Sequence, residues 1–329
     1  MSVVRRVSIT LAVASMVAVG MSGPEEAAAG PDAGPSLVER LGYDKGARLL
    51  IVHADDVGSS HAINLATFDA LASGQVTSAS VMVPCAELQE VADYAAGHRS
   101  ADLGLHLTLT SDDAHDHWGP VAPKTEVPSL VDSQGHFLPG PREALSQIDA
   151  KEVEVELKAQ IQRAREVGLR PTHLDSHQLL LFFRPELFET YLKVGREAGL
   201  PVLLARGAFS LLQERMGGHA PDYESFLGPR DVVIDDLIMM MPEEASAGRH
   251  AAHERALENL GPGEVGEIII HVGYADQVPS DRRGDAPFGS SWRQKDFDYF
   301  TGPEFKGLLE KHDIQLISWR DLARLKPAH

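Results

Sequence analysis

Residues 49–58, Leu-Leu-Ile-Val-His-Ala-Asp-Asp-Val-Gly, decide how this chain folds. An apolar run typical of a buried strand ends here at two adjacent carboxylates, Asp55 and Asp56, followed closely by Gly58. A strand normally ends in residues that solvate the backbone. This turn also brings two acidic groups to one point, where a divalent cation could bind them. Because Asp-Asp before glycine is also common in turns and helix caps, this segment alone leaves both interpretations open.

Three further segments place acid or imidazole side chains on strand-like sequence. His106 interrupts a run of strand-forming residues, and His271 ends an apolar run that begins at residue 267. His173, Asp175 and His177 recur at period two, so a strand through them points all three side chains to one face. The strands that carry these groups at or near their C-terminal ends would share one rim in an α/β barrel, where catalytic sites are built.

Strand and helix signals alternate along the chain from residue 31 onward. The strand candidates are Leu49–His53, Ser78–Val83, Leu103–Leu107, Thr172–Asp175, Val202–Ala205, Val232–Ile238, Glu267–His271 and Gln315–Ser318. The helix candidates are His61–Ala72, Ala86–His98, Ala150–Val167, Pro185–Ala198, Arg249–Leu260 and Pro303–Lys311. Repeated β-then-α order predicts a single-domain α/β fold, a TIM-barrel-like (β/α) barrel, with a doubly wound open sheet as the alternative.

Two long stretches, 111–140 and 277–296, lack periodicity and are rich in turn-forming residues. Both follow strand candidates that carry candidate site histidines. We therefore expect them to overhang the same rim as substrate-shaping loops.

Composition narrows the classes of function. The 329 residues hold 43% hydrophobic and 24% charged side chains, which suits one large globular domain. The net charge of −18 argues against nucleic acid and anionic membrane surfaces as partners. The single cysteine, Cys85, excludes an internal disulfide and a cysteine-rich zinc site. The oligomeric state is left open.

The first 29 residues have the pattern of a secretory signal peptide. Arg5 and Arg6 precede the apolar stretch 7–20, and the alanines at 27–29 supply small residues for cleavage. We expect cleavage after the last of these alanines, which leaves a domain of residues 30–329 that is secreted or periplasmic and free of the membrane. An uncleaved membrane anchor is the alternative, although the apolar stretch is short for a transmembrane span.

Four motifs, in order along the chain, resemble those of the YdjC-like carbohydrate deacetylases. They are His-Ala-Asp-Asp-Val-Gly-Ser-Ser from residue 53, Gly-Leu-His-Leu-Thr-Leu-Thr from 104, Pro-Thr-His-Leu-Asp-Ser-His from 171 and His-Val-Gly-Tyr-Ala-Asp from 271. The resemblance covers nearly all of residues 48–325. It implies a TIM-barrel-like fold and an enzyme that removes acetyl groups from N-acetylated sugars, such as chitooligosaccharides, with a bound divalent metal ion.

The resemblance also implies roles for individual residues. They are a catalytic base at Asp55, a general acid at His271, and metal ligands at Asp56, His106 and His177. One carboxylate and two imidazoles accept zinc, but also nickel, cobalt or magnesium. Zinc is the favoured ion outside the cytoplasm.

Two further residues are expected to pack beside these implied ligands. Asp175 would orient an imidazole and so fix its tautomer. His173 lies four residues before His177, which leaves open the alternative that both histidines bind the metal. Only His177 matches the metal position of the family.

Substrate binding is expected to involve the two aperiodic stretches. Trp118 and Trp292 lie in them and could stack on sugar rings, with Arg293 as a neighbouring candidate. The alternative is that each tryptophan anchors its own loop.

The chain departs from the family pattern at four positions. It has His53 where asparagine is usual, Val57 where phenylalanine is usual, Leu179 where histidine is usual and Val272 where proline is usual. The implied ligand set is intact, so we expect the departures to affect substrate specificity, because Leu179 and Val272 should border the pocket.

Two other functions are open at this point. A non-catalytic carbohydrate-binding barrel would require a lost base or ligand, and the sequence retains all of them. Another metal-dependent hydrolase, such as a phosphoesterase, is less favoured, because no cluster of lysine and arginine lies near the motifs.

Overall fold

A parallel sheet forms the centre of the structure, a computed structural model that describes residues 34–111, 117–240, 242–278 and 284–325. Its seven strands are β1 (Arg48–Val57), β2 (Ser78–Val81), β3 (Leu103–Leu107), β4 (Leu174–Ser176), β5 (Asp236–Met239), β6 (Val265–Ile270) and β7 (Ile314–Leu316). The order across the sheet is β4-β3-β2-β1-β6-β5, and β7 pairs with the start of β1. All of these pairings are parallel.

Helices connect most of the strands. They are α1 (Leu37–Arg40), α2 (His61–Ser73), α3 (Leu88–Gly97), α4 (Gly140–Leu145), α5 (Ala150–Glu166), α6 (Pro185–Ala198), α7 (Arg206–Arg215), α8 (Pro242–Asn259), α9 (Ser290–Phe300), α10 (Pro303–Lys311) and α11 (Trp319–Ala323). Helices α6 and α10 begin and end at the predicted residues. Both start with proline at the first helical position, where its missing N–H has no partner to lose.

The sheet is curled, and two isolated bridges lie between its edge strands. Leu174 of β4 bridges Val202, and Ala205 bridges Ile234, just before β5. The predicted strand Val202–Ala205 is therefore wrong as a strand. Val202 pairs on the β4 side and Ala205 on the β5 side, one bridge each, so the segment forms no continuous ladder with either edge of the sheet. The parallel α/β class is confirmed as a curled half-barrel, whereas closure into a TIM-like barrel is not confirmed.

Helix α9 corrects the expectation that residues 277–296 lack secondary structure throughout. Its buried residues include Trp292, Asp296, Tyr299 and Phe300, at the spacing of one helical face. The charged residue Asp296 interrupts the apolar pattern of that face. The hydrophobic periodicity of the sequence therefore does not predict this helix. Helix α9 carries Trp292 and Arg293, two residues predicted to bind substrate.

Both faces of β1 are buried, and one of them leads into the candidate site. Leu49 and Ile51 pack with Trp319 in the smaller of two apolar clusters. His53 and Asp55 continue that face at period two and are also buried. The opposite face of β1 packs in the larger cluster, which includes residues of α2, α5 and α6.

Residues Pro35–His329 form one compact unit. None of the helices in the described part of the chain is both long and apolar enough to cross a bilayer. The predicted signal peptide, residues 1–29, lies outside the described residues.

His253 of α8 provides a stability prediction away from the candidate site. Its ring is buried against Tyr299 and Phe300, with centroids 5.3 and 4.9 Å away, and its Nδ1 has no hydrogen-bond partner among the described residues. Burial, helped by the nearby Arg249 charge, lowers the pKa of His253 to about 3. As the pH falls below about 6.5, His253 therefore becomes protonated in the unfolded chain before it does so in the folded protein. This difference lowers the free energy of unfolding in acid.

We expect His253→Phe to make the protein less sensitive to acid. The phenylalanine ring keeps the aromatic contacts and takes up no proton. The free energy of unfolding of the variant, relative to that of the wild type, should therefore grow as pH falls from about 6.5, by at most about 1.4 kcal/mol per pH unit. Urea unfolding at pH 7 and pH 5 measures this. His98→Phe, at an exposed ring stacked on Tyr94, is the control. Equal acid sensitivity in wild type and His253→Phe would contradict the prediction.

Candidate active site

The end of β1 turns two neighbouring carboxylates toward one point. One extra residue of β1 lies between positions 54 and 57 in its pairing with β2, and Asp56 has a φ of 68°. A regular pleat would send Asp55 and Asp56 to opposite faces, and a bulge of this kind re-aims a side chain. As a result Asp55 Oδ2 lies 3.8 Å, and Asp56 Oδ1 3.5 Å, from His106 Nε2.

Three buried ligand atoms form a triangle beside this bulge. His106 Nε2, on β3, lies 3.1 Å from His177 Nδ1, which follows β4, and each nitrogen lies 3.5 Å from Asp56 Oδ1. The ligand atoms of a tetrahedral zinc site lie about 3.3 Å apart, because zinc bonds to nitrogen and oxygen are about 2.0–2.1 Å long. We call Asp56, His106 and His177 the triad.

The polar atoms of the triad fit a divalent cation. Asp56 Oδ1 is buried, and it accepts no hydrogen bond from the described residues. An unsatisfied carboxylate oxygen facing two imidazole nitrogens is costly in a dry interior, and a cation would satisfy it. The cluster could therefore hold a metal ion, with a donor set of one oxygen and two nitrogens.

Asp175 fixes the orientation of His106. Asp175 Oδ1 lies 2.6 Å from His106 Nδ1, so that nitrogen donates the hydrogen bond. His106 Nε2 therefore keeps a lone pair on the side that faces Asp56 and His177. Burial opposes protonation of His106, but the carboxylates Asp55 and Asp175 raise its pKa.

Arg293 of α9 compensates the charge of Asp56. Its Nη2 donates a hydrogen bond of 2.6 Å to Asp56 Oδ2. Burial favours the neutral acid, yet Arg293, with smaller contributions from His177 and His271, holds the pKa of Asp56 well below its usual range. Asp56 is therefore ionised. Arg293, which the sequence predicted as a substrate-binding residue, instead forms an ion pair with a carboxylate of the triad.

His271 lies at the mouth of the triad. It follows β6 directly, its side chain is 21% exposed, and its Nε2 is 4.0 Å from Asp56 Oδ2. Its backbone N–H donates to Asp296 Oδ2 at 3.1 Å. Burial lowers the pKa of His271, although the charge of Asp56 opposes this shift.

A buried network around His53 adjoins the triad, and the sequence pattern did not predict it as part of the site. His53 Nε2 lies 3.0 Å from Asp175 Oδ2, 3.2 Å from Asp55 Oδ1 and 3.0 Å from Ser80 Oγ, and its Nδ1 faces Glu267 Oε1 at 3.4 Å. Burial opposes its protonation, but Asp175, Asp55 and Glu267 raise the pKa of His53 well above its usual value. Burial raises the pKa of Glu267 to about 8. The period-two spacing of His53 and Asp55 was the feature of the sequence that could have indicated that both side chains lie on one face of β1.

His173 lies outside the triad, in the core beside His53. Its Nδ1 lies 2.9 Å from Thr172 Oγ1, which donates in turn to Asp102 at 2.7 Å. Its ring stacks on Trp319 at 4.8 Å, and burial lowers its pKa to about 4. The imidazole is therefore neutral and closely packed.

The two tryptophans predicted to bind sugar are both engaged by the protein. Trp118 is partly buried, and its Nε1 donates to Thr110 O at 2.7 Å. Trp292 is 8% exposed, its Nε1 donates to Asp296 at 3.2 Å, and the Arg249 guanidinium lies 3.8 Å from its ring centre. Each ring thus helps to hold its own segment, and direct sugar contact by either stays a prediction.

The two departures expected to border the pocket differ in position. Val272 is fully buried in the larger apolar cluster, so it does not line an open surface. Leu179 is partly buried and has a left-handed φ of 53° directly after His177 and Gln178. Only Leu179 can contribute to a pocket wall.

The curled sheet and the triad at the C-terminal ends of its strands define a class: parallel α/β proteins with a candidate divalent-cation site. A family model described as YdjC-like protein matches residues 49–311. The chain belongs to the YdjC-like family, and the resemblance inferred from its motifs is confirmed.

Similar proteins include named deacetylases. A carbohydrate deacetylase of Thermus thermophilus is 45% identical over 292 residues, which cover 86% of this chain and 97% of the relative. A chitooligosaccharide deacetylase of Yersinia pestis is 30% identical over 162 residues, which cover 48% of this chain and 60% of the relative. A crystal structure of a candidate cellobiose-phosphate cleavage protein of Enterococcus faecalis superposes with a TM-score of 0.69 at 25% identity, covering 84% of this chain and 99% of the other.

We expect the triad to bind zinc. His106→Ala and His177→Ala should each weaken binding by at least about 100-fold, and Asp175→Asn, which only reorients a ligand, by about 10- to 100-fold. Binding should strengthen as pH rises, because the imidazoles must lose their protons to bind a metal. Zinc titration of the metal-stripped protein measures these changes.

A matched control for this titration lies at the surface. Glu258 is exposed and belongs, with the half-buried Glu254 and His312, to a group that could bind a cation, but Lys311 already pairs with both carboxylates. Glu258→Gln should leave zinc affinity unchanged. Full metal occupancy in either histidine variant would show that the triad is not the binding site.

Proposed function

We propose that this chain is a metal-dependent hydrolase that removes acetyl groups from N-acetylated sugars or oligosaccharides. The observation that carries the proposal is the triad with two further titratable groups, Asp55 and His271, within 4.0 Å of its atoms. Membership of a family with carbohydrate deacetylases supports the sugar amide as substrate. The substrate amide is neutral, which suits a chain with a net charge of −18.

Asp55 is proposed as the general base. Its Oδ1 accepts a hydrogen bond from Ser80 Oγ at 3.3 Å and lies 3.2 Å from His53 Nε2, so the carboxylate is held in place. Its Oδ2 lies 3.8 Å from His106 Nε2, on the side of the triad. A carboxylate fixed in this way can accept the proton of the water that attacks the acetyl carbonyl.

Asp56, His106 and His177 are proposed as the metal ligands. When bound there, a divalent cation would polarise the acetyl carbonyl and stabilise the negative charge that develops on its oxygen. Zinc suits two imidazoles and a carboxylate, with nickel, cobalt and magnesium as alternatives. The ion pair between Arg293 and Asp56 keeps the oxygen ligand ionised and in place.

His271 is proposed as the general acid. The departing sugar amine must gain a proton as the carbon–nitrogen bond breaks. His271 is the partly exposed imidazole next to the triad, and its backbone is fixed by Asp296. It can therefore reach a leaving group that enters from solvent.

We further propose that residues 1–29 direct export of the protein, so that it acts outside the cytoplasm as a secreted or periplasmic enzyme. The charged, apolar and small-residue regions of that segment support this.

Acetate release tests the proposal. The metal-stripped protein, supplied with zinc, nickel, cobalt or magnesium, should release acetate from N-acetylglucosamine oligomers, and a chelator should abolish the release. A phosphorylated disaccharide in the same panel tests the phosphoesterase alternative. Phosphate release without acetate release would overturn the proposal, and binding without release of either would favour a carbohydrate-binding protein.

A second prediction isolates the role of His271. His271→Ala should reduce kcat on the amide by about 10²- to 10⁴-fold with little change in KM, because its proton is needed only in the transition state. An acetyl ester departs with less need for a proton, so the variant should lose less on the ester. Equal losses on ester and amide would show that His271 shapes the pocket instead.

A further inference from the structure

Phe288 is an aromatic side chain left open to solvent beside the candidate active site. Among the described residues, the large apolar side chains that are exposed are Val155 at 37% and Phe288 at 36%. A single exposed apolar residue is common and by itself indicates no function. Phe288 differs from Val155 in its backbone, its supports and its neighbours.

The backbone of Phe288 is held in an unfavourable conformation. Its φ of 59° lies in the left-handed region, which bulky side chains rarely adopt. Such residues persist where the surrounding structure fixes them, and they cluster at functional sites. Here Arg293 Nε donates a hydrogen bond of 2.8 Å to Phe288 O, and Gly289 N closes the turn onto Ala286 O at 2.9 Å.

Arg293 connects this turn to the triad. The guanidinium that holds Phe288 O through Nε also donates through Nη2 to Asp56 Oδ2, at 2.6 Å. One partly buried cation thus fixes both a carboxylate of the triad and the backbone of Phe288. The position of Phe288 relative to the triad is therefore set by direct bonds.

The ring of Phe288 lies next to the proposed general acid. Its centroid is 4.9 Å from that of His271 and 4.8 Å from that of Trp292. Trp292 backs it and is itself held by Asp296 and by Arg249. A single sugar ring is wide enough to contact Phe288 while its nitrogen substituent faces His271.

We propose that Phe288 is the sugar-binding platform of this site, where its exposed ring packs against the C–H face of the pyranose that carries the acetamido group. The proposal rests on the proposed deacetylase function. A pyranose has apolar C–H faces and a polar rim, so an aromatic ring can bury its face without leaving a hydroxyl unpaired. The adjacent cations Arg293 and Arg249 are already paired with Asp56 and Asp296, so the surface suits a neutral ring.

Phe288→Asn tests the ring without disturbing the backbone, because asparagine tolerates a left-handed φ. We expect KM for N-acetylglucosamine oligomers to rise about tenfold, with kcat changed less than twofold, since the contact is made equally in the ground state and the transition state. Phe288→Tyr should retain the wild-type KM. Val155→Asn, the same replacement at the other exposed apolar residue, should change neither constant.

A measurement of sugar binding tests the role of Phe288 independently of deacetylase activity. Titration of N-acetylglucosamine oligomers by calorimetry should show about tenfold weaker binding to Phe288→Asn than to wild type. Wild-type affinity and KM in Phe288→Asn would overturn the platform, and so would a loss confined to kcat. If the wild type releases no acetate but Phe288→Asn still weakens binding, the deacetylase proposal fails and the platform stands.

Discussion

The structure depends on balancing the charges of carboxylates that it buries at one end of its sheet. Asp56 and Asp175 are almost fully buried, and an ionised carboxylate in that position is strongly disfavoured unless it is paired. Arg293 pairs with Asp56, and His106 and His53 pair with Asp175. These bonds draw together β1, β3, β4 and α9, so the fold and the site stabilise one another.

Much of this arrangement was predictable from local sequence. The apolar run ending at Asp55 and Asp56 predicted β1 and its carboxylates, and the parallel α/β order predicted that the ends of other strands would meet them. Contacts between distant segments were not predictable, because no local pattern reports them. Arg293 and Asp56 are 237 positions apart, and α9 was hidden by a buried Asp296. The strand predicted at Val202–Ala205 is wrong because its two bridges go to different edges of the sheet, a long-range arrangement that the local sequence does not report.

His53 is where this chain differs most in charge from the family pattern it resembles, in which asparagine is usual. A cationic imidazole between Asp55 and Asp175 offsets the repulsion of these two carboxylates and holds the first of them beside the triad. Burial raises the pKa of the nearby Glu267 to about 8, so Asp175 and Asp55 contribute more than Glu267 to the raised pKa of His53. Asp55, the proposed base, and Asp175, which orients His106, are thus connected through one buried residue, His53.

The central claim is that Asp56 binds a metal ion while Asp55, its neighbour in sequence, performs proton transfer. Metal content and acetate release, measured on the same sample of Asp55→Asn, test this most directly. The account predicts wild-type metal content with acetate release reduced by about 10²- to 10⁴-fold. Loss of the metal from Asp55→Asn, together with its retention in Asp56→Asn, would contradict the account and reverse the two roles.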